Sequence, residues 1–554
     1  MRETILVLGG YGGFGSRICM ALARDEQVDL VVAGRDRNAA SAFCAVHGGR
    51  PEVIDREDPA LTDRIGLLSP FLVIDAAGPF QAYGAKPYRV AEAAIAAGAH
   101  YLDLSDDPAF TSGIGVLDAA ARRAGLAILS GVSSVPALSS AAVADLALDM
   151  ADVHLIDTVI VPGNRAPRGL SVVRAIVGQA GRPTRMWRDG RAEPVPGWSG
   201  LSRVSLRVPG KSPVSERWAS FNAAPDPVLL PRHFKARSVL FRAGLELKVM
   251  HGGLLLLSLP VRWGWVRTLA PLAPALKWVA ERLEPFGSDT GGMRVRVVGL
   301  TSEGAMELRE WVLVAGAGDG PQVPAIPARV MVGRLRAGAV SAGARPCVAA
   351  FALGEAERAM TDFNIATDCA AKAFPLIFAQ VLGPAFGRLP PVVRDLHTVV
   401  DVRRWRGEAE IEAGHGRMAR LIRVVMGFPT GGKRVPVTVR MERREGSEVW
   451  ERRFAGRTLR SRLSPGGGGV MLERFGPLSF DIALTVEGGR LTYPVVAGRC
   501  FGIPLPRMLL PVSRTAESVD AEGRAVFDVE VSLPGLGRIV HYRGWLVPDD
   551  DAMA

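Results

Sequence analysis

The chain of 554 residues is too long for one hydrophobic core, so two or three domains are expected. Hydrophobic residues make up 48% of the chain and charged residues 22%, which excludes a largely disordered protein. A formal charge of +11 favours anionic partners such as nucleotides or acidic lipids, but no nucleic-acid-binding motif accompanies it, and we expect no nucleic acid partner.

The first 135 residues alternate short apolar runs with Ala-rich amphipathic stretches. The apolar runs predict strands with helices between them, and they read ILVLGG (5–10), DLVVAGR (29–35), FLVIDAAGPF (71–80), HYLDLS (100–105) and LAILSG (126–131). This alternation is typical of βαβ units. We therefore expect residues 1–135 to form an α/β domain of the Rossmann type, with a doubly wound parallel sheet.

A second domain, α+β in character, is predicted over residues 136–355. Its strands include DTVIVPG (157–163) and a pair at 293–300 and 306–316. The stretch AIPARVMVGRLRAG (325–338) predicts a helix that packs back on the first domain. We expect this domain to select the substrate and to be of the kind that forms homodimers.

A third domain is predicted over residues 363–550. It is expected to open with a helix at 370–383 (AAKAFPLIFAQVLG) and to continue with strands separated by Gly-rich turns. The strand runs include GEAEIEAG, VPVTVRMER, EVWERRF, AVFDVEVSL and HYRGWLV. This pattern predicts a mainly antiparallel β-domain.

The cellular location is predicted from what the sequence lacks. No basic leader with an apolar stretch and a cleavage site precedes the first strand, so we expect no signal peptide. The five cysteines are scattered, without metal-ligand spacing, and His397, His415 and His541 are far apart in the chain. These features favour a cytoplasmic protein without a metal site.

The glycines after the first strand predict a dinucleotide site. Residues 9–15 read GGYGGFG and contain the GxGxxG spacing at Gly10, Gly12 and Gly15. In this motif the first glycine permits a tight turn, the second lets the backbone approach a pyrophosphate, and the third lets the helix pack on the strand. The phosphates would then lie at the N-terminus of the helix that begins near Gly13 and Phe14. A plain Gly-rich turn is the alternative.

The tip of the second strand indicates which dinucleotide binds. An acidic residue there would bind the ribose 2′-hydroxyl of NAD, but the tip reads Gly34-Arg35-Asp36-Arg37. The guanidinium of Arg35 suits a 2′-phosphate, which favours NADP(H) over NAD(H). Two alternatives remain, since Asp36 could face the ribose and Arg35 could be an ordinary surface residue.

Several of these segments together resemble the saccharopine dehydrogenase-like family of NADP-binding oxidoreductases. They are GGYGGFG, the AGR strand tip, VIDAAGPF with Gly84 after it, AAGAHYLDLSDD (96–107) and AILSGVSSVPAL (127–138), and the resemblance covers roughly residues 1–355. From about residue 363 onward the chain resembles an uncharacterised domain often fused behind such modules, through LPPVVRDLH, EVWERRF, ERFGPLSF, GIPLPRMLLP and HYRGWLVP.

The resemblance implies where the cofactor and substrate would bind. Ala77, Gly78, Pro79 and Phe80 would line the nicotinamide side, and Asp103 and Ser105 would face the crevice at the carboxyl ends of the strands. Alternatively, AGPF is only a turn and Asp103 only caps the following helix. The family commonly has Gly-Glu where this chain has Asp106-Asp107, so the family's residue roles are less firmly implied at that point. Tyr83 and Lys86 are one residue too close for the Tyr-x-x-x-Lys signature of short-chain dehydrogenases.

Two further segments bear on the substrate. PRGLSVVR (167–174) also resembles the family, and Arg165, Arg168 and Arg174 in and beside it could bind carboxylates, or be surface residues. The apolar stretch at 252–283, with LLLLSLP and WGW, is interpreted as a buried helix, the alternative being a membrane-surface or lipid-substrate element. Arginine and lysine interrupt it, so it is not expected to span a bilayer.

Three functions follow from these patterns. The first is an NADP(H)-dependent oxidoreductase that transfers hydride to or from a small-molecule substrate, unidentified and with a lipid among the options; Tyr101, Asp103 and His100 are the proton-donor candidates. The second is a non-catalytic dinucleotide-binding protein, since no catalytic signature is evident. The third is a peripheral membrane protein that handles lipids through residues 252–283.

Overall fold

The structure, a computed structural model, describes residues 2–167 and 169–549. These residues divide into two compact units. Unit 1 holds the described parts of 1–187 and 192–372, and unit 2 holds those of 188–191 and 373–554. The boundaries of the three predicted domains, at 1–135, 136–355 and 363–550, stay a prediction.

The N-terminal part of unit 1 alternates strands and helices as expected. In chain order its elements are β1 (Glu3–Leu8), α1 (Gly15–Leu22), β2 (Val28–Gly34), α2 (Arg37–His47), β3 (Arg50–Val53), α3 (Leu61–Leu68), β4 (Leu72–Asp75), α4 (Arg89–Ala96), β5 (His100–Asp103), α5 (Pro108–Gly113), α6 (Asp118–Ala124), β6 (Ala127–Ser130) and α7 (Ser139–Leu146).

The remainder of unit 1 mixes long strands with helices. Its elements are β7 (Met150–Val161), α8 (Leu170–Gln179), β8 (Pro183–Arg188), β9 (Arg191–Pro196), β10 (Ser202–Leu206), β11 (Val214–Phe221), α9 (Asp226–Phe234), β12 (Ser238–Leu245), α10 (Lys248–Arg262), α11 (Ala273–Arg282), β13 (Gly291–Thr301), β14 (Met306–Ala315), α12 (Ile326–Arg336), β15 (Gly343–Pro346), α13 (Leu353–Met360) and β16 (Ile365–Ala373).

The first sheet of unit 1 is parallel and doubly wound, which confirms the predicted fold class. Its seven strands run in the order β15-β6-β5-β4-β1-β2-β3. The strand order reverses between β1 and β4, and at such a switch point the carboxyl ends of the strands form a crevice. One outer strand of the first sheet, β15, follows β14 in the chain and so comes after most strands of the second sheet. The sequence did not predict that β15 joins the first sheet.

The second sheet of unit 1 is mixed. Its main path is β10-β11-β12-β7-β13-β14-β16, with β8 paired to β12 and β9 paired to β8. The predicted strand pair at 293–300 and 306–316 is confirmed as the antiparallel pair β13 and β14. The helix predicted at 325–338 is α12, and it packs on α1 with Arg336 bonded to Glu3 and Asp25.

Unit 2 is built around a thirteen-stranded antiparallel sheet, which confirms the predicted mainly antiparallel β-domain. Its elements are α14 (Ile377–Leu382), α15 (Pro391–Leu396), β17 (Val402–Ala413), α16 (Arg417–Met426), β18 (Gly432–Arg444), β19 (Ser447–Phe454), β20 (Arg457–Pro465), β21 (Met471–Phe475), β22 (Leu478–Ile482), β23 (Thr485–Glu487), β24 (Arg490–Thr492), β25 (Val495–Cys500), β26 (Ile503–Pro504), β27 (Val512–Val519), β28 (Ala525–Leu533) and β29 (Gly537–Pro548). The strand order is β23-β24-β27-β28-β29-β17-β18-β19-β20-β21-β22-β25-β26.

The helix predicted at 370–383 is wrong over its first half. Residues 365–373 form β16, and a helix begins only at Ile377. Pro375 explains the later start, because a proline disfavours helical backbone in the residue before it. Pairing of β16 with β14 at the edge of the second sheet outweighs the helical preference of the alanines and Lys372.

Candidate functional site

The candidate site lies at the switch point of the parallel sheet, where β1 and β4 end side by side. The two strands pair from Ile5 with Leu72 to Leu8 with Asp75. The loop after β4 then follows the loop after β1 closely, since a Cβ on Gly9 would lie 3.0 Å from the Cα of Ala77. The structure therefore brings together the predicted glycine turn and the predicted AAGPF loop.

The glycine turn leaves no room for side chains at its key positions. A Cβ on Gly15 would lie 2.2 Å from the carbonyl oxygen of Gly9, and one on Gly10 would lie 2.9 Å from the Sγ of Cys19. These approaches let α1 pack directly on the end of β1. Gly12 fits less tightly, with its Cβ 3.0 Å from the Gly9 oxygen, and Gly13 has nothing within 4 Å.

The N-terminus of α1 presents free backbone donors. Within the described part of the chain, the N–H groups of Gly13 and Phe14 donate to no acceptor, and no side chain caps the helix. Both residues are exposed. Free N–H groups and the positive end of the helix dipole attract anions, so this turn can hold a phosphate group.

The tip of β2 is arranged around Tyr11. Its ring lies against Gly34, where a Cβ would meet the hydroxyl at 2.4 Å, and the hydroxyl accepts a hydrogen bond from the N–H of Asp36 at 2.9 Å. Asp36 Oδ1 caps α2 by accepting from the N–H groups of Asn38 and Ala39, at 2.9 and 3.1 Å. Arg35 is exposed and makes no ion pair with any residue that the structure describes. A basic side chain is thus free at the tip, while a carboxylate oxygen there is occupied by the helix cap.

The loop after β4 leaves residues 77–79 partly or fully exposed and buries the side chain of Phe80. Ala77 and Pro79 are half-buried and Gly78 is exposed, with a cis peptide bond between Gly78 and Pro79. The ring of Phe80 is buried, stacked on Tyr83 at 4.9 Å and close to Phe110 at 5.0 Å. The side chain of Phe80 belongs to an aromatic cluster, so only its backbone could line the crevice.

Asp103 and Ser105 are fully buried beneath the crevice. Asp103 Oδ1 accepts hydrogen bonds from the N–H groups of Ser105 and Gly131 and from Ser130 Oγ, each at 2.9 Å. Its Oδ2 is buried without a partner among the described residues. Burial raises the pKa of Asp103 to about 7, although its hydrogen bonds oppose this. The alternative that Asp103 caps the next helix is wrong, because Asp107 caps α5.

A second buried carboxyl, Asp75, was not predicted. It ends β4, and both its oxygens accept from the hydroxyl of Tyr83, at 2.9 and 2.8 Å. Tyr101 Oη lies 3.4 Å from Asp75 Oδ2. Burial raises the pKa of Asp75. Because Asp75 is the last residue of an apolar strand run, a polar residue in that place was the only signal that could have found it.

Asp226 is a third buried carboxyl, and its two hydrogen-bond donors come from two other segments of the chain. Ser139 of α7 donates to its Oδ1 at 3.1 Å and Thr158 of β7 to its Oδ2 at 3.0 Å. Burial raises its pKa to about 7, and the two hydroxyls oppose this. The sequence carries no signal for this cluster, because its members are far apart in the chain.

The other proton-donor candidates are also tied into the fold. His100 Nδ1 accepts from the N–H of Ala127 at 3.0 Å, and burial lowers its pKa. The ring of Tyr101 is buried within the sheet, and burial together with Asp103 and Asp75 raises its pKa. Both side chains would need a change in their surroundings to reach a substrate.

The predicted substrate arginines lie on a surface loop and helix. Arg165 is exposed and donates to the carbonyl oxygen of Pro285 at 3.2 Å. Arg174 is exposed on α8. Arg168 lies outside the described residues. The structure does not bring Arg165 into contact with Asp103 or Ser105, and its substrate role stays a prediction.

The residues at the switch point fit a dinucleotide. A Cβ would meet backbone at Gly15 and the side chains of Cys19 and Val32 at Gly10, the turn presents two free N–H groups, and an unpaired arginine stands at the tip of the next strand. Together these features supply a pyrophosphate cradle and a group for the ribose or its phosphate. Among the described residues, no three metal-ligating side chains come together.

Comparison with known families finds one match near each end of the chain, and the N-terminal match agrees with this geometry. Residues 5–129 match the model of the saccharopine dehydrogenase NADP binding domain. Residues 389–546 match a domain of unknown function, DUF4166. No curated protein matches the chain in sequence.

Comparison with solved structures finds distant likeness. The apo saccharopine dehydrogenase (L-Glu forming) of Saccharomyces cerevisiae aligns with a TM-score of 0.49 at 15% identity, over 67% of this chain and 100% of its own. Biliverdin reductase of Synechocystis, solved with biliverdin and NADP+, aligns with a TM-score of 0.30 at 13% identity, over 65% of this chain and 95% of its own.

Proposed function

Because residues 5–129 match the model of the saccharopine dehydrogenase NADP binding domain, we propose that the protein is an NADP(H)-dependent oxidoreductase. The single observation that carries the choice of NADP(H) is the free guanidinium of Arg35 beside the capped Asp36. A 2′-phosphate would supply the partner that this arginine lacks, and a bidentate contact with phosphate is the geometry that guanidinium groups favour.

The chain's own residues position the cofactor and shield the reaction. The nicotinamide ring would supply the hydride chemistry when bound. The turn at residues 10–15 holds the pyrophosphate, and the backbone of 77–79 borders the nicotinamide side. The polar network beneath the crevice is buried, and Asp103 with its raised pKa keeps a proton close to neutral pH. Asp103 is proposed as the proton store of the site because its Oδ2 is also buried without a partner among the described residues.

Arg35→Ala tests the cofactor choice. Losing one charge-assisted phosphate contact should weaken NADPH binding by roughly ten- to one-hundred-fold. NADH lacks the 2′-phosphate, so its affinity should change by less than about two-fold. Fluorescence titration of both cofactors measures this, with Arg24→Ala as the control at an exposed arginine beyond the far end of α1. Equal losses for the two cofactors would refute the proposal.

A separate assay distinguishes an enzyme from a non-catalytic dinucleotide binder. Purified protein is mixed with NADPH and fractionated cell metabolites, and the oxidation of NADPH is followed. An oxidoreductase should consume NADPH in at least one fraction, and this activity should fall in Arg35→Ala. Tight NADPH binding without oxidation in any fraction would favour the binder.

A specific observation also favours contact with a membrane surface. Trp263 and Trp265, next to the C-terminal end of α10, are 59% and 74% exposed, and their rings lie 4.9 Å apart. Exposed Arg262 and Arg267 flank them, without an ion pair to any described residue. Only His251, Leu254 and Ser258 of α10 are buried, which argues against a wholly buried helix. None of the described helices is long and apolar enough to cross a membrane.

We propose that this aromatic and basic segment, residues 262–267, binds anionic lipid surfaces. Indole rings favour the membrane interface, and free arginines favour anionic headgroups. The double variant Trp263→Ser/Trp265→Ser should lose most flotation with liposomes that contain an anionic phospholipid, whereas Leu148→Ser, at an exposed leucine elsewhere, should not. Unchanged flotation of the double variant would contradict the proposal.

A further inference from the structure

Unit 2 encloses a large apolar cavity, which no part of the proposed function uses. Its volume is about 470 Å³, and every lining residue lies between Leu396 and Leu546, within unit 2. Folded cores contain few voids larger than a water molecule. Ligand pockets span roughly 300–1,000 Å³, and an apolar cavity of only about 150 Å³ stays dry and takes up benzene. The interior of this unit therefore has the size of a ligand site.

One face of the antiparallel sheet forms most of the cavity wall. Alternate residues of β18, Val437 and Val439, line it, as do Leu459 and Leu463 of β20. Side chains along a strand point alternately to the two faces, so one face of the sheet surrounds the cavity. Most of the lining is aliphatic or aromatic. The occupant must be mainly apolar.

The entrance is marked by exposed apolar residues. Leu421 and Val425 of α16 line the cavity, although they are 54% and 74% exposed. Leu509, in the segment before β27, also lines it and is 55% exposed. Of α16, only Ala419 is buried. This helix thus borders an opening through which a ligand could enter.

One corner of the cavity is polar. Arg452, Glu473, Tyr493 and Glu517 line it. Arg452 pairs with Glu473 at 3.5 Å and donates to Ser461 Oγ at 3.0 Å. Glu517 Oε2 lies 2.5 Å from His397 Nε2, and Tyr493 Oη lies 3.3 Å from the same nitrogen.

Both basic side chains of this corner already have an acidic partner. Arg452 pairs with Glu473, and His397 is bonded to Glu517, so neither is left over for a carboxylate headgroup. A ligand carboxylate would also meet Glu473 and Glu517, and burying an unpaired charge is costly. Burial, with Glu517 nearby, raises the pKa of Tyr493, so its hydroxyl stays protonated and can exchange hydrogen bonds with a neutral group.

We propose that unit 2 binds a neutral lipid with an elongated apolar part and one hydroxyl or carbonyl group. The apolar part fills the cavity, and the polar group bonds at Tyr493 and the neighbouring Arg452. The site is independent of the dinucleotide site, because every residue in it belongs to unit 2.

Hexadecan-1-ol, hexadecanoic acid and hexadecane are suitable probes, each radiolabelled and incubated with the full-length protein before gel filtration. We expect one molecule of the alcohol per chain, bound at least about ten-fold more tightly than the acid. Tighter binding of the acid, or no binding of any probe, would overturn the proposal.

Two variants locate the bound lipid. Val439→Trp adds a large side chain to the cavity and should abolish alcohol binding, whereas Val519→Trp, at an exposed valine of the same sheet, should not. Tyr493→Phe should retain hexadecane binding and lose roughly ten-fold in affinity for the alcohol, which also serves if Val439→Trp fails to fold. Equal alcohol binding by the wild-type and Tyr493→Phe proteins would refute the polar corner, and unchanged binding by a folded Val439→Trp would refute the cavity.

Discussion

The two ligand sites inferred for this protein differ in the atoms that form them, backbone in one and side chains in the other. The switch point of unit 1 is made from backbone, where glycines leave space and N–H groups are free. The cavity of unit 2 is lined by side chains, and the backbone groups of its strands are hydrogen-bonded within the antiparallel sheet. A site made from backbone depends on a few positions where only glycine fits. In a site lined by apolar side chains, binding depends on many residues, each of which contributes little.

This difference determines what the sequence can reveal. Gly10, Gly12 and Gly15 form a pattern that is recognisable because the backbone geometry demands it. Val439 and Leu463 are valine and leucine in strands, which is equally typical of a packed core. A cavity of this kind therefore leaves no motif.

The largest expected effect is the loss of NADPH affinity when a side chain fills the glycine turn. Gly15→Val places a branched side chain where even a Cβ would lie 2.2 Å from the Gly9 oxygen. Either the turn or α1 must shift, and NADPH affinity should fall by more than about one-hundred-fold. Isothermal titration calorimetry measures the loss, while hexadecan-1-ol binding by unit 2 should be unchanged.

Gly66→Ala in α3 is the control outside the turn, because nothing lies within 4 Å of a Cβ at that position either. Its NADPH affinity should stay within about two-fold of the wild-type value. If Gly15→Val binds NADPH as well as Gly66→Ala does, the contrast between a backbone site and a side-chain site is wrong.

The next effect concerns charge, in which the two regions also differ. Asp226 in unit 1 is buried with only hydroxyl partners, whereas the acidic groups of the cavity corner face Arg452 or His397. Its folded-state pKa of about 7 exceeds the ordinary value of 3.8, so the fold favours the protonated carboxyl. Stability from this group is complete below about pH 4 and is lost as the pH rises to about 7.

Asp226→Asn removes this titration. Between pH 5 and pH 8 the wild-type protein should lose roughly 2–3 kcal/mol of unfolding free energy through Asp226, and the variant should not. Urea titrations at both pH values measure the difference, with Asp63→Asn as the control at an exposed carboxylate. The same pH dependence in Asp226→Asn and the wild type would show that Asp226 is ionised throughout.

The smallest effect is expected from a single wall residue of the cavity. Val439→Ala removes two carbon atoms from a lining shared by many side chains. Affinity for hexadecan-1-ol should therefore change by only roughly two- to five-fold, since about 0.8 kcal/mol accompanies each buried methylene and the ligand touches only part of the residue. Complete loss of binding would mean that the cavity depends on single positions, as the glycine turn does.

Local patterns were sufficient to predict the parallel sheet and the glycine turn. The strands β1, β2, β4, β5 and β6 are short apolar runs separated by helices, and both properties are local in sequence. The strand β3 reads RPEV, which is not an apolar run, and it was not predicted. The antiparallel sheet of unit 2 could likewise be predicted from its alternating runs and Gly-rich turns. The wrong helix at 370–383 illustrates the limit, because β16 is fixed by its pairing with β14 and not by its composition.

Buried polar clusters were harder to predict than the sheets. Asp226 meets Ser139 and Thr158 only after three distant segments pack together, and Asp75 looks like the end of an apolar strand. Phe80 and Ser105, implied by family resemblance, turn out to be buried in an aromatic cluster and a hydroxyl network. Three residues of α10 are buried, whereas Trp263 and Trp265 after it are exposed, so the interpretation of a buried helix holds for one face of α10. Hydrophobicity alone does not say which face of a helix is covered.

The outer strand β15 has a consequence for biosynthesis. It pairs with β6, from Gly343 with Ala127 to Pro346 with Ser130, although the whole of β7 to β14 separates them along the chain. While the ribosome is still making those residues, β6 remains an open edge of the nascent cofactor domain, and open edges invite pairing with other chains. A chain truncated after residue 135 would keep that edge permanently, whereas one that continues through Pro346 would seal it.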